Sequence, residues 1–188
     1  MTDILQRAKK GIITLVALGS FISLGSYLNA NEISCQCTPR ESTPSLKDWN
    51  YAPGIEKQRK DASPKLTDLL NCMQSKLSTE ATILSISDSA GFEHCQDNYD
   101  KSCAHTKNSA HYGCKDHYEG SLAVDFKNEG NACELATVAY ECRARKAFGP
   151  RSAVSKCNLP QSFFQGDGYH EGHVHISVSA PEGYHKCN

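Results

Sequence analysis

Residues able to hold a metal fall in two strand-like runs: His117 and Asp125 in HYEGSLAVDF (117–126), and His173 and His175 in HVHISVS (173–179). Along the first run Leu122, Val124 and Phe126 alternate with Ala123 and Asp125. Along the second, Val174, Ile176 and Val178 alternate with His173, His175 and Ser177. Side chains on a strand point to opposite faces with period two. If each apolar set enters the core, Asp125, His173 and His175 project together from the opposite face. His117 enters just before the Asp125 strand, and Gly120 permits a tight backbone between them. Imidazoles and a carboxylate suit Zn²⁺, and three protein ligands leave a fourth position for water. A metal with an open position acidifies water and polarises a carbonyl, which is the chemistry of a hydrolase. The plainer reading makes the eight histidines scattered surface residues and Asp125 a structural carboxylate.

The elements that must position these residues follow from pattern. SPKLTDLLNCMQSKL predicts a helix capped by Ser63, with Pro64 in its first turn and Leu66, Leu69, Leu70, Met73 and Leu77 on one stripe. ATILSIS predicts a strand, and a long loop with Cys95, Cys103 and Cys114 then leads to the motif strand SLAVDFK. NACELATVAYECRARKAF predicts a second helix, with Asn131 and Glu134 as a capping box and Gly149-Pro150 as its stop. Cys133 and Cys142 lie about 13 Å apart along such a helix, too far to pair with each other. A loop over 151–172 precedes the last strand. The expected fold is α+β: a small antiparallel sheet with helices packed on one face and the zinc site on the opposite face, reinforced by disulfides.

At the N-terminus Arg7, Lys9 and Lys10 precede the apolar run GIITLVALGSFISLGSYL and the small residues near Ala30, the layout of a cleaved secretory signal over 1–30. Residues 31–62, with Pro39, Pro44 and Pro53, read as an extended arm pinned by Cys35 and Cys37, and 63–188 as the functional domain. All ten cysteines follow the signal and no C-x-x-C pair occurs, so a disulfide framework in an oxidising compartment is expected. The location is then secreted or periplasmic, with no stable membrane span after cleavage. A net charge of −1 offers no electrostatic case for nucleic acid or an acidic membrane surface.

HYEGSLAVDF resembles the His-x-x-Gly-x-Ala-x-Asp motif of the LAS zinc metallopeptidases, which include D-alanyl-D-alanine carboxypeptidases, peptidoglycan endopeptidases and the hedgehog signalling domain. The hedgehog version begins with the same HYEG. GHVHISV is similar to that family's last strand, and the order of elements matches over about 63–180. The resemblance implies zinc ligands His117, Asp125 and His175, with an acidic general base shortly before the last ligand. Glu171 is the nearest match and Asp167 the reserve, while His173 would stabilise an oxyanion or hold substrate. Three departures stand out. One extra residue separates His117 from Asp125, so 120–125 must absorb it, as in a bulge. Lys115 occupies the position of the family's serine, whereas Ser109-Ala-His111 shows that pairing and keeps His111 open as the first ligand. The arginine that commonly follows the first strand is absent from ISISDSAGF.

The leading expectation is an exported zinc-dependent peptidase hydrolysing peptide bonds of peptidoglycan stem peptides or cross-links, as carboxypeptidase or endopeptidase. The competing readings are a non-catalytic, zinc-stabilised, disulfide-rich binding or signalling module, and a metal-free disulfide-built binding protein. A cysteine-nucleophile amidase built on Cys103 and His105 is disfavoured, because the pair is too close in sequence and the thiol is expected to be oxidised.

Overall fold

The computed structural model describes residues 46, 48–107, 109–116 and 120–178, with the backbone alone for Glu93, Cys114, Lys115 and Asp116. The expected signal segment, His117, and the pairing of Cys35, Cys37, Cys114 and Cys187 lie outside what is described. All described residues belong to one compact unit, 35–188. Among them no helix is long and apolar enough to cross a membrane.

Six strands form one mixed sheet: β1 (Asn50–Tyr51), β2 (Thr82–Ser85), β3 (Ala123–Lys127), β4 (Lys146–Gly149), β5 (Phe164–Gly166) and β6 (His173–Ser177), in the order β1-β2-β3-β6-β4-β5. The expectation of a small antiparallel sheet needs correction, because the sheet has six strands and is mixed. The central β2-β3-β6-β4 pairings are antiparallel, but β1 joins β2 and β5 joins β4 in parallel. The parallel edges arise from segments read as irregular. Residues 46–62 supply buried Leu46 and Trp49, edge strand β1 and a 3₁₀ segment Ile55–Asp61, while 151–172 supplies β5.

Helix α1 (Pro64–Lys76) forms as its pattern predicts, the Ser63 hydroxyl accepting from the Leu66 amide at 3.2 Å. A short α2 (Phe92–Asp97) and a kinked 3₁₀ segment (Ala110–Asp116) punctuate the long loop. Helix α3 (Ala132–Glu141) is shorter than its pattern suggests. After Cys142 the chain turns through Arg143 at φ 65°, and the expected last turn of helix becomes β4. Nor does the capping box form: Asn131 makes no side-chain cap, and Glu134 instead accepts from Ser78 and Thr79 after α1. Helix α4 (Arg151–Val154) follows Pro150.

Cys133 on α3 and Cys142 at its C-cap pair elsewhere, Cys142 with Cys72 on α1 and Cys133 with Cys157, and a third bridge joins Cys95 to Cys103. Val124, Phe126, Val174, Ile176 and Ala147, from one face of the sheet, share the apolar core with Leu135 and Ala139 of α3 and Leu66, Leu70 and Met73 of α1. Gly120, at φ 117°, lies against the backbone before α1, where a Cβ would stand 2.5 Å from the Asp61 carbonyl oxygen. Only glycine fits both the angle and the space, so the glycine of the motif seats the entry to β3 on that chain.

Candidate metal centre

The register assembles a transverse row on the other face. Ser85 pairs with Asp125, Asp125 with His175, His175 with Phe148, and Phe148 with Gln165. Directly opposed residues on neighbouring strands share a face. Ser85 reaches it through a register shift between Ile83 and Ser85: Ile83 opposes core residue Phe126, whereas Ser85, two positions on, opposes Asp125. The irregularity therefore lies on β2, while β3 pairs with β6 in unbroken register over Ala123–Lys127.

Above this row the long loop delivers His111. His175 Nδ1 stands 2.9 Å from Asp125 Oδ1, His111 Nε2 stands 3.3 Å from the same oxygen, and the two ring nitrogens are 3.2 Å apart. His173 Nε2 lies farther out, 3.9 Å from Asp125 Oδ1. His111 Nδ1 is 2.8 Å from the Ile86 carbonyl, which can only accept, so this nitrogen carries the donated proton. In the neutral ring Nε2 is then a lone pair facing a carboxylate oxygen. Acceptors converging in this way need a proton, on His111 Nε2 or donated from His175 Nδ1, or a cation between them.

In the metal-free protein the electrostatics favour a proton on His111. Burial disfavours charge on His111, but the charge and hydrogen bond of Asp125 and the Ile86 carbonyl outweigh it and raise its pKa above 6.5. Burial likewise opposes ionisation of Asp125, yet His111 and His175 hold its carboxyl well below the usual range. For His175 burial is the largest influence, and with the charge of His111 it outweighs Asp125 and lowers the pKa. Burial also lowers that of His173.

Sequence patterning missed His105 and His170. The His105 ring stacks on His111 with centroids 3.8 Å apart, and its Nε2 meets the Ser85 hydroxyl at 2.9 Å. Burial, reinforced by His111, brings its pKa down to about 4. His170 stacks on Phe148 at 5.2 Å, lies 5.7 Å from the His175 ring, and is 2.7 Å from Asp167 Oδ1. Both come from loops whose return to the sheet is set by non-local packing, so no periodicity reveals them.

The long loop is held by Asp88, whose carboxylate accepts from the amides of Ala90 (2.9 Å) and Ala104 (2.7 Å) and from the Tyr112 hydroxyl (2.6 Å). The Tyr112 oxygen in turn accepts from the His105 amide at 3.1 Å. One carboxylate thus ties the start and the middle of the loop to the segment bearing His111.

Asp125 and His175 are in contact, His111 joins them, and His173 is adjacent. His117 lies outside the described residues. Glu171 is exposed, its Oε1 3.5 Å from the Arg151 amide, and Asp167 is engaged with His170. Among the described residues two groups of side chains have the geometry to hold a metal ion: His105, His111 and Asp125, and His94, Asp100 and Cys103. In the second the Cys103 sulfur is bonded to Cys95, which removes the thiolate as a ligand. The buried group beside His175 is the stronger candidate. No protein-family model matches this chain, and comparison with curated proteins finds no match.

Proposed function

We propose that this is an exported zinc-dependent peptidase whose site is the His111–Asp125–His175 cluster on the open face of the sheet, acting on peptidoglycan peptides. The observation carrying the reading is the triangle of ligand atoms, with edges of 2.9, 3.2 and 3.3 Å. Ligands at about 2.0–2.1 Å from a tetrahedral zinc stand about 3.4 Å apart, so the triangle needs little expansion to close on the ion. Two imidazole nitrogens and one carboxylate oxygen are also the donor set zinc favours. The Ile86 carbonyl fixes the His111 ring as an outer partner of a ligand does.

Bound zinc supplies a Lewis acid for an amide carbonyl and acidifies water. The chain's own residues do the rest. Glu171 is the base that takes a proton from the attacking water and returns it to the leaving amine. His173, beside Asp125, donates to the oxygen that gains charge. His111 is the first ligand in this reading, in the role the sequence left open between His111 and His117. The peptidoglycan part rests on the resemblance of HYEGSLAVDF and GHVHISV to the LAS peptidases, and export rests on the N-terminal pattern together with three disulfides.

The non-catalytic alternative also has an observation behind it. Asp167 is engaged by His170, and Glu171 meets only the Arg151 amide among the described polar contacts. Hydrolysis of purified peptidoglycan peptides by the zinc-loaded protein, followed by mass spectrometry, separates the two. Cleavage that Glu171→Gln abolishes while zinc stays bound supports the enzyme. No cleavage with full zinc occupancy selects the binding module.

A further inference from the structure

The long loop carries a second set of convergent ligand atoms, from His94 on α2 and from Asp100 and Cys103 in the turn after it. One atom from each of the three lies within 4.8 Å of the other two. His94 Nε2 stands 3.3 Å from Asp100 Oδ2, while Asp100 Oδ1 accepts from the Ser102 hydroxyl at 2.6 Å and the Ser102 amide at 2.8 Å. The Cys103 amide donates to the Asp100 carbonyl at 3.1 Å, turning the chain back to α2, where Cys103 meets Cys95. The Cys95 sulfur, one bond from Cys103, follows His94 directly in the chain. What this group lacks as a metal site is a free thiolate, because the bridge consumes both sulfurs.

We propose that the Cys95–Cys103 bridge is a redox gate on a second zinc site: reduction by a dithiol frees two thiolates that hold the ion together with His94 and Asp100. An incoming thiolate attacks the Cys103 sulfur, which is half-buried where Cys95 is only 1% exposed, and Cys95 leaves as a thiolate. The second thiol of the reductant then attacks the mixed disulfide and displaces Cys103. Two electrons pass, so the reductant becomes a disulfide as the protein disulfide becomes two thiols. Zinc displaces whatever protons those thiols carry. Two thiolates, an imidazole and a carboxylate make a four-ligand set that closes round zinc, and the soft sulfurs select it over magnesium or calcium. Zinc–sulfur bonds of about 2.3 Å require the sulfurs to stand about 3.8 Å apart, a separation that side-chain rotation supplies between Cα atoms 5.8 Å apart. Bridge and ion close the same turn, so the ion takes over from the bridge in holding the segment that leads through Ala104 to His105. None of these residues belongs to the buried centre, and the inference does not depend on the peptidase reading.

The test uses the full protein loaded with cobalt(II), whose thiolate-to-metal charge-transfer band in the near ultraviolet reports sulfur ligation. The His111, Asp125 and His175 centre has no thiolate and contributes nothing to that band. Oxidised wild type is expected to show no band. Cys95→Ser frees the Cys103 thiolate without a reductant and should show it, once cysteine mapping by mass spectrometry confirms that the other bridges are intact. Adding His94→Ala or Asp100→Asn to Cys95→Ser should abolish the band. Wild type treated stepwise with an immobilised dithiol, which is removed before cobalt is added, should gain the band as Cys95 and Cys103 become alkylatable, with Cys72–Cys142 and Cys133–Cys157 still closed. The proposal is overturned by the absence of a band in both Cys95→Ser and reduced wild type, by a band that survives either second substitution, or by a Cys95–Cys103 bridge that opens only after the other two.

Discussion

Asp125 and His175 face each other across the β3–β6 pairing, with His175 Nδ1 2.9 Å from Asp125 Oδ1. Fifty residues of chain separate them, and the antiparallel register alone makes them neighbours. His111 closes the group from a loop instead of a strand. The centre thus combines a rigid half, built into the sheet, with a half that depends on how the loop is held.

That division has a stability consequence in the metal-free protein. The folded pKa of Asp125 is depressed, so its contribution is present above about 3.8 and is lost as the pH falls through the lower folded value. The folded pKa of His111 is raised, so its contribution is full below 6.5 and is lost as the pH rises through the higher folded value. Urea unfolding of the chelated protein should show stability declining above that point. Asp125→Asn should flatten the decline and cost about 3–5 kcal/mol, the usual effect of breaking a buried ion pair. A flat profile in wild type would contradict the pairing.

Catalysis offers a separate check. Glu171 is exposed and makes no described contact with the candidate ligands, so Glu171→Gln should leave zinc content and melting temperature unchanged. It should lower kcat about 10²–10⁴-fold, as expected for loss of a general base. If Glu171→Gln is active while Asp167→Asn or His170→Asn is not, the base belongs to the Asp167–His170 pair.

Asp88 should behave as the anchor of the loop. Asp88→Ala removes three acceptor contacts, including those to buried Tyr112 and to Ala104, at a cost of about 2–4 kcal/mol, and loosens His111 enough to weaken zinc binding. Burial raises the Asp88 pKa, but the Tyr112 hydroxyl and the two amides outweigh it and leave the pKa below 3.8. Its contribution is therefore present above about 3.8 and disappears as the pH falls through the folded value. Hydrogen exchange at Ala90 and Ala104 should quicken in acid before the amides of β3 and β6 do. Simultaneous exchange of all four would argue against a local anchor.

The disulfides should divide in the same way. Cys72–Cys142 spans 70 residues and ties α1 to the end of α3, so replacing both cysteines with serine should cost about 4 kcal/mol and leave metal affinity unchanged. Cys95–Cys103 spans only 8 residues inside the loop that carries His105. Its removal should cost less stability but weaken zinc binding. Denaturation and metal competition on the two double variants measure both quantities.

What could be read beforehand was local. Ser63-Pro64 with the Leu66–Met73 stripe specifies α1 by itself, and the alternations around Asp125 and His175 specify two strands and the face each presents. β4 could not be found this way, because RARKAF carries a helix-compatible pattern. It becomes a strand through Arg143 in a left-handed conformation and through partners on both sides, β6 and β5. The capping box failed for a similar reason: Glu134 found Ser78 and Thr79, brought close by the packing of α1 against α3. That Asp125, His173 and His175 share one face was legible from period two. The choice between His111 and His117 was not, since a loop has no period, and His105 and His170 reach the centre only through tertiary folding.

The most direct test is the zinc content of the purified, oxidised protein beside His175→Ala, Asp125→Asn and His111→Ala, with circular dichroism confirming that each variant folds. About one zinc per chain in wild type, lost in all three variants and retained in His117→Ala, is the expected result. Wild type without zinc after loading, or His111→Ala with full zinc, would contradict a centre built on His111, Asp125 and His175.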